Sequence, residues 1–181
     1  LVNNRRDLLK FYHESQKCQN FIRFLRTSNI HTAREMIDND PQWKTWKFTM
    51  NIRSGGSIKL TVLHVALILR SMEMINFILD KKEIKDYVQI KVQKSDESLG
   101  NTRTDMFEDD DWIYGATSVH LAARFFHHCL PKVLKFDDQS VNDQTNEADF
   151  SPLHVSSIAD MHLGSRILMK FGARADAEDK Y

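Results

Sequence analysis

One six-residue pattern occurs three times along this chain, as Thr61-Val62-Leu63-His64-Val65-Ala66, Thr117-Ser118-Val119-His120-Leu121-Ala122 and Ser151-Pro152-Leu153-His154-Val155-Ser156. Each copy opens on a hydroxyl residue, passes through an aliphatic, a histidine and a second aliphatic, and closes on a small residue. The copies start 56 and 34 residues apart. A second apolar segment follows each one, at Met72–Leu79, Leu130–Leu134 and Gly164–Met169. A recurring helix pair cannot bury its apolar stripe alone, so successive pairs stack and share one core. That requirement limits what the chain can fold into more than any other feature of it.

Local chemistry agrees with helix starts at these points. A Thr or Ser before an apolar run is a good N-cap, because its hydroxyl accepts a free backbone N–H of the first turn. Pro152 falls at the first helical position, where a missing N–H costs nothing. Gly172, just past the last apolar segment, suits the left-handed conformation that ends a helix.

The triplicated segment resembles the ankyrin repeat, whose Thr-Pro-Leu-His-x-Ala signature recurs about every 33 residues. The run Phe171-Gly172-Ala173-Arg174-Ala175-Asp176-Ala177-Glu178-Asp179 is similar to the family's linker into a next repeat. The resemblance implies an all-α fold: an ankyrin-repeat solenoid of about four helix-turn-helix repeats, with a β-hairpin finger and one long inserted loop. It divides a single domain, 1–181, into a capping helix (1–15), a degenerate first repeat (16–41), a hairpin finger (42–60), repeat two (61–84), an insertion (85–114), repeat three (115–144) and repeat four (145–181). The array has room to continue past Tyr181. The first repeat lacks the Leu-His signature, as terminal repeats often do. The family's glycine between paired helices is missing in each clear copy; Arg70, Phe126 and Asp160 stand there.

Two segments break the repeat. Apolar residues alternate at Trp46, Phe48, Met50 and Ile52 and resume at Ile58 and Leu60 after Ser54-Gly55-Gly56, which predicts a β-hairpin. Trp43 and Trp46 read as part of its core. The insertion begins with a second alternating stretch, Tyr87–Val92, read as a strand. It turns polar, then acidic and aromatic from Asp105 to Tyr114. A loop this long inside a compact fold is usually functional or disordered. Its end, Trp112 to Tyr114, is expected to be ordered.

Composition excludes whole classes. Twenty-five Lys and Arg balance 25 Asp and Glu in 181 residues, so no global field steers the chain to nucleic acid or to an anionic membrane. A local patch is not excluded by that balance. No apolar run approaches the ~18 residues of a membrane span, and no secretory signal is visible. The chain opens on Leu1 rather than methionine and reads as a piece of something longer. Two cysteines, Cys18 and Cys129, form no disulfide framework and suit reduced thiols inside the cell.

Candidate chemistry is sparse. His64, His120 and His154 could suggest zinc, but each sits in a different repeat, at a position that in ankyrin stacks resembles a structural histidine bonded to backbone. His127-His128-Cys129 has ligand residue types, yet adjacent helical residues point in different directions. The Asp105–Asp111 run lacks the alternating ligands and turn glycine of a calcium loop. No phosphate-binding, dinucleotide, nucleophile-elbow or zinc-protease motif occurs. The chain is therefore expected to be no enzyme and to need no cofactor or metal.

Binding is the function that the resemblance implies, through a concave groove formed by first-helix ends and fingers. The matching helix positions are Ile68 and Leu69, Arg124 and Phe125, Ile158 and Ala159. The finger positions are Ser57, Ile58 and Leu60, then Ile113, Tyr114 and Ala116, then Glu147, Ala148 and Phe150. Ile68, Leu69, Trp112, Tyr114, Arg124, Phe125 and Phe150 are the expected partner-binding residues, because apolar and aromatic side chains on a surface mark interfaces. The opposing reading has the insertion folding back to bury Ile68, Leu69 and Phe125 internally. The expected partner is a protein, not nucleic acid, and the isolated domain is expected to be monomeric. The expected location is the cytoplasm or nucleus. Other readings are the cytosolic ankyrin domain of a membrane protein such as a transient-receptor-potential-type channel, an inhibitor of Rel-type transcription factors, and the regulatory arm of an enzyme.

Overall fold

The three hydroxyl residues of the repeated pattern cap three helices in the same way. In the computed structural model, which describes residues 11–12, 16–52, 56–95, 112–146 and 148–179, α3 spans Val62–Ile68, α6 Ser118–Phe125 and α8 Pro152–Ile158. Thr61, Thr117 and Ser151 each accept the backbone N–H of the histidine three residues on. That histidine's ring in turn accepts the N-cap backbone N–H, a reciprocal capping box.

Each of these helices leads into a partner. The order is α1 (Gln16–Arg26), α2 (Ile30–Asp38), α3, α4 (Met72–Leu79), α5 (Lys85–Val88), α6, α7 (Leu130–Val133), α8 and α9 (His162–Lys170). Consecutive pairs touch through α2 with α4, α3 with α6, α6 with α8 and α7 with α9. Buried apolar residues from every layer form one continuous core.

The turns between paired helices show how the chain manages without glycine. Arg70 and Asp160 take left-handed backbone, with φ of 57° and 54°. The N–H of Ser71 reaches the Ala66 carbonyl at 3.0 Å, and that of Met161 reaches the Ser156 carbonyl at 2.9 Å. These are Schellman closures, which satisfy the last helical carbonyls. Phe126, at the third equivalent position, keeps a negative φ of −153° and leads into a 3-10 turn, His127–Cys129.

The expectation of an all-α fold is overturned by a four-stranded antiparallel sheet ordered β1-β2-β3-β4, which makes the protein mixed α/β. Its centre is β2 (Phe48–Asn51) against β3 (Ser57–Leu60), with Phe48 opposite Leu60 and Met50 opposite Ile58. All four of these side chains are fully buried. Both outer edges of this hairpin are then paired, β1 (Phe11–Tyr12) on β2 and β4 (Gln93–Ser95) on β3. A bare hairpin would present two rows of unpaired backbone groups.

Two further expectations are corrected. Phe11 and Tyr12, assigned to a capping helix over 1–15, are strand β1, and the rest of that helix lies outside the described residues. Tyr87–Val92, read as a strand, begins instead as the C-terminal part of α5. Ile84, Tyr87 and Val88 are buried together at the i, i+3, i+4 spacing of a helix, and this outcompetes the alternation of Val88, Ile90 and Val92. The Tyr87 hydroxyl accepts the Val62 N–H at 3.0 Å, and its ring meets Trp43 edge-on at 5.0 Å. Burial pushes the Tyr87 phenol well above its ordinary range.

Candidate functional site

Three equivalent positions close the first helix of each pair: Ile68 with Leu69, Arg124 with Phe125, Ile158 with Ala159. Their surroundings differ along the stack. Ile68 is 5% exposed and Leu69 6%, Arg124 and Phe125 are half-buried, and Ile158 is 53% exposed. Ile68 and Leu69 are therefore core residues and not open anchors.

The segment from Trp112 to Ala116 is strapped between its neighbours. Trp112 is buried, with its ring centroid 6.4 Å from that of Phe125. The Val92 N–H donates to the Ala116 carbonyl at 2.8 Å, and the Gly115 N–H to the Val92 carbonyl at 3.0 Å. On the other side, the Asn146 N–H donates to the Tyr114 carbonyl at 2.8 Å. Gly115 has φ 78°, and a Cβ there would lie 2.3 Å from Asn146 Oδ1, so only glycine fits. Tyr114 is buried, its hydroxyl 2.5 Å from where a Cβ on Gly56 would stand, and Lys94 Nζ sits 5.2 Å from its ring centre. Trp112 and Tyr114, expected to face a partner, serve the interior.

The remaining finger positions are mostly interior as well. Ser57, Ile58, Leu60, Ile113, Ala116 and Ala148 are buried, and Glu147 lies outside the described residues. Phe150 is half-buried and packs beside the His154 ring at 5.9 Å. What stays accessible is a smaller surface: Arg124, Phe125, Phe150, Ile158 and Ala159.

The repeated histidines are spent on capping and on linking layers. His120 Nε2 meets the Phe150 carbonyl at 2.9 Å, and His154 Nε2 meets the Ala177 carbonyl at 3.0 Å. Burial pulls His64 down to about 3 and His120 to about 4, so both are neutral at physiological pH. His64 Nε2 is buried without a formed hydrogen bond, although the Ile90 carbonyl is near enough to favour a proton there.

The other candidates resolve locally. His127 and His128 stack with ring centroids 4.2 Å apart, while the Cys129 thiol is buried and donates to the Phe126 carbonyl. Burial pushes that thiol up to about 12, which leaves little thiolate for metal or nucleophilic chemistry. Among the described residues, no three His, Cys, Asp or Glu side chains converge as a metal site. The acidic run Asp105–Asp111 lies outside the described residues.

Two features escaped the sequence reading. Asp137 is almost fully buried, with neither carboxylate oxygen in a formed hydrogen bond. Burial raises its pKa, moderated by Ser140 and Gln89 nearby. Leu163, Met169 and Phe171 stand open on the last helix and its cap. Only a register comparison of α9 with α4 could have found that surface.

No helix among the described residues is long and apolar enough to cross a membrane. Compared with models of known protein families and with curated proteins, the chain matches none of them.

Proposed function

We propose that this chain is a non-catalytic protein-interaction module of ankyrin-repeat type, working inside the cell. The carrying observation is that the repeat register leaves Arg124 and Phe125 half-buried and Ile158 exposed at the ends of adjacent first helices, α6 and α8. Arg124 supplies a directional charge and is of a residue type enriched in binding hot spots, while Phe125 and Ile158 supply apolar contact. Phe125 is braced by Trp112 at 6.4 Å, which limits the ordering entropy lost when a partner binds. The resemblance to ankyrin repeats supports the same reading, since scaffolds of that kind carry partner sites on first-helix ends.

Affinity capture from a cell lysate tests this, with wild type beside an Arg124→Glu, Ile158→Glu variant. Ile158 is exposed and Arg124 half-buried, so the circular-dichroism spectrum of the variant is recorded beside that of wild type and only a folded variant is scored. Specific partners that vanish with the folded variant support the surface. Capture of the same proteins by both would remove these positions from the site.

A further inference from the structure

Large apolar side chains stand open at one end of the stack. Among the described residues they are Ile158, Leu163, Met169 and Phe171, all in the last helix pair and its cap. The first pair ends differently. Helix α1 turns Gln16, Lys17, Gln19, Arg23 and Arg26 to solvent, the polar outer face that a terminal layer needs for solubility.

Equivalent positions show what the last pair lacks. Leu63 and Leu67 lie four residues apart on one face of α3, and both are fully buried in a helix that contacts α6. Val119 and Ala123 hold the same positions in α6, which contacts α8, and they too are fully buried. In α8 these positions are Leu153, half-buried, and Ser157, exposed. Ile158 and Met169 likewise stand open where Ile68 and Leu79 are covered.

The path onward is laid as well. His120 reaches from α6 to the Phe150 carbonyl, on the segment that carries the chain into α8. His154 makes the same reach from α8 to the Ala177 carbonyl at 3.0 Å. The Asn142 side chain donates to the Gly172 carbonyl at 3.0 Å and accepts the Arg174 N–H at 2.8 Å, and Gln144 donates to the Glu178 carbonyl at 2.8 Å. One layer earlier, the Asn146 N–H is held on the Tyr114 carbonyl in a comparable way. Segments so placed lead into the capped first helices α6 and α8.

We propose that the outer face of α8 and α9 is the seat of a further helix pair of the same kind, carried by the same polypeptide beyond Tyr181. Its first helix lies against Leu153 and Ser157, where α6 lies on α3 and α8 on α6. Charge does not select this occupant, because the face exposes cations at Arg166 and Lys170 and carboxylates at Asp160 and Asp176. Arg124, the equivalent of Ile158 one layer back, keeps part of its surface with α8 beside it. Ile158 therefore stays reachable for a protein partner when the further pair is seated.

Hydrogen exchange tests the seat, with the 1–181 chain beside the protein's own reading frame continued by about 33 residues or more. Amides of α8 and α9 are expected to exchange about tenfold or more slowly in the longer chain, because a stacked neighbour raises the free energy of their local opening. Ser157→Glu with Met169→Glu places charge at two exposed positions. This variant is expected to leave the urea midpoint of 1–181 unchanged and to abolish the added protection in the longer chain. A reading frame that stops before a helix pair can form, equal exchange in both lengths, or protection that survives in the variant would each overturn the proposal. So would a 1–181 dimer in sedimentation that the variant renders monomeric, because a second copy would then be the occupant. Should the variant unfold 1–181, the wild-type comparison of the two lengths decides alone.

Discussion

The Val92 N–H donates to the Ala116 carbonyl at 2.8 Å, at the residue just before the N-cap of α6. One layer on, the equivalent Phe150 carbonyl accepts the Thr145 N–H at 3.0 Å and is also met by His120 Nε2 at 2.9 Å. Val92, from the insertion, therefore stands in for Thr145, but His64 does not complete the second contact.

The two histidines should consequently differ in worth. His120→Ala removes a capping acceptor and an interlayer bond, whereas His64→Ala removes a capping acceptor and relieves an unsatisfied ring nitrogen. Urea unfolding is expected to show His120→Ala as the more damaging by about 1 kcal/mol or more. Equal losses would mean that the interlayer bond contributes nothing.

Acid should destabilise the fold through the same residues. Their folded pKa values, about 3 and about 4, lie below the ordinary histidine value of 6.5. Below pH 6.5 the unfolded chain takes up protons that the folded chain refuses, so stability falls as pH falls and levels off above that value. By pH ~5.5 the loss is expected to be about 3 kcal/mol, with His120→Ala cutting the slope by about half. A flat profile between pH ~7 and ~5.5 would contradict the neutral, buried state of both rings.

Left-handed backbone at a residue with a Cβ is strained. Arg70→Gly and Asp160→Gly are each expected to raise stability by roughly 0.5–1 kcal/mol, after allowing for the greater freedom glycine gives the unfolded chain. Phe126→Gly should do the reverse, because its φ of −153° carries no such strain. Thermal unfolding in which all three move the same way would refute the distinction.

The buried carboxylate of Asp137 should be a burden near neutral pH. Its raised folded pKa means that stability is lost as pH rises from the unfolded value through the folded one. Asp137→Asn is expected to stabilise by about 1 kcal/mol at pH ~7, with a smaller gain at pH ~4. A loss at neutral pH in urea titrations would show instead that Ser140 and Gln89 hold the charge well.

Trp112 tests whether the insertion's end belongs to the core. Trp112→Ala is expected to cost about 2–4 kcal/mol, since its ring is buried against Phe125. A change below ~0.5 kcal/mol would return Trp112 to the surface residues and reopen the groove as first read.

Some of this was legible in the residues alone. Thr61, Thr117 and Ser151 announce helix starts because a capping box needs only a hydroxyl and an acceptor three residues later. Phe48, Met50, Ile58 and Leu60 announce paired strands because a pleat puts alternate side chains on one face. These are short-range rules, and sequence spacing expresses them directly. Which groups those elements would meet depended on distant partners. Tertiary structure alone decided that β1 and β4 would close the hairpin's edges, so that an all-α reading fails. It also decided that Trp112 and Tyr114 would pack inward, that Ile68 and Leu69 would be covered while Ile158 is not, and that His64 would lack the bond His120 has. Identical local patterns received different neighbours, and burial is a property of neighbours.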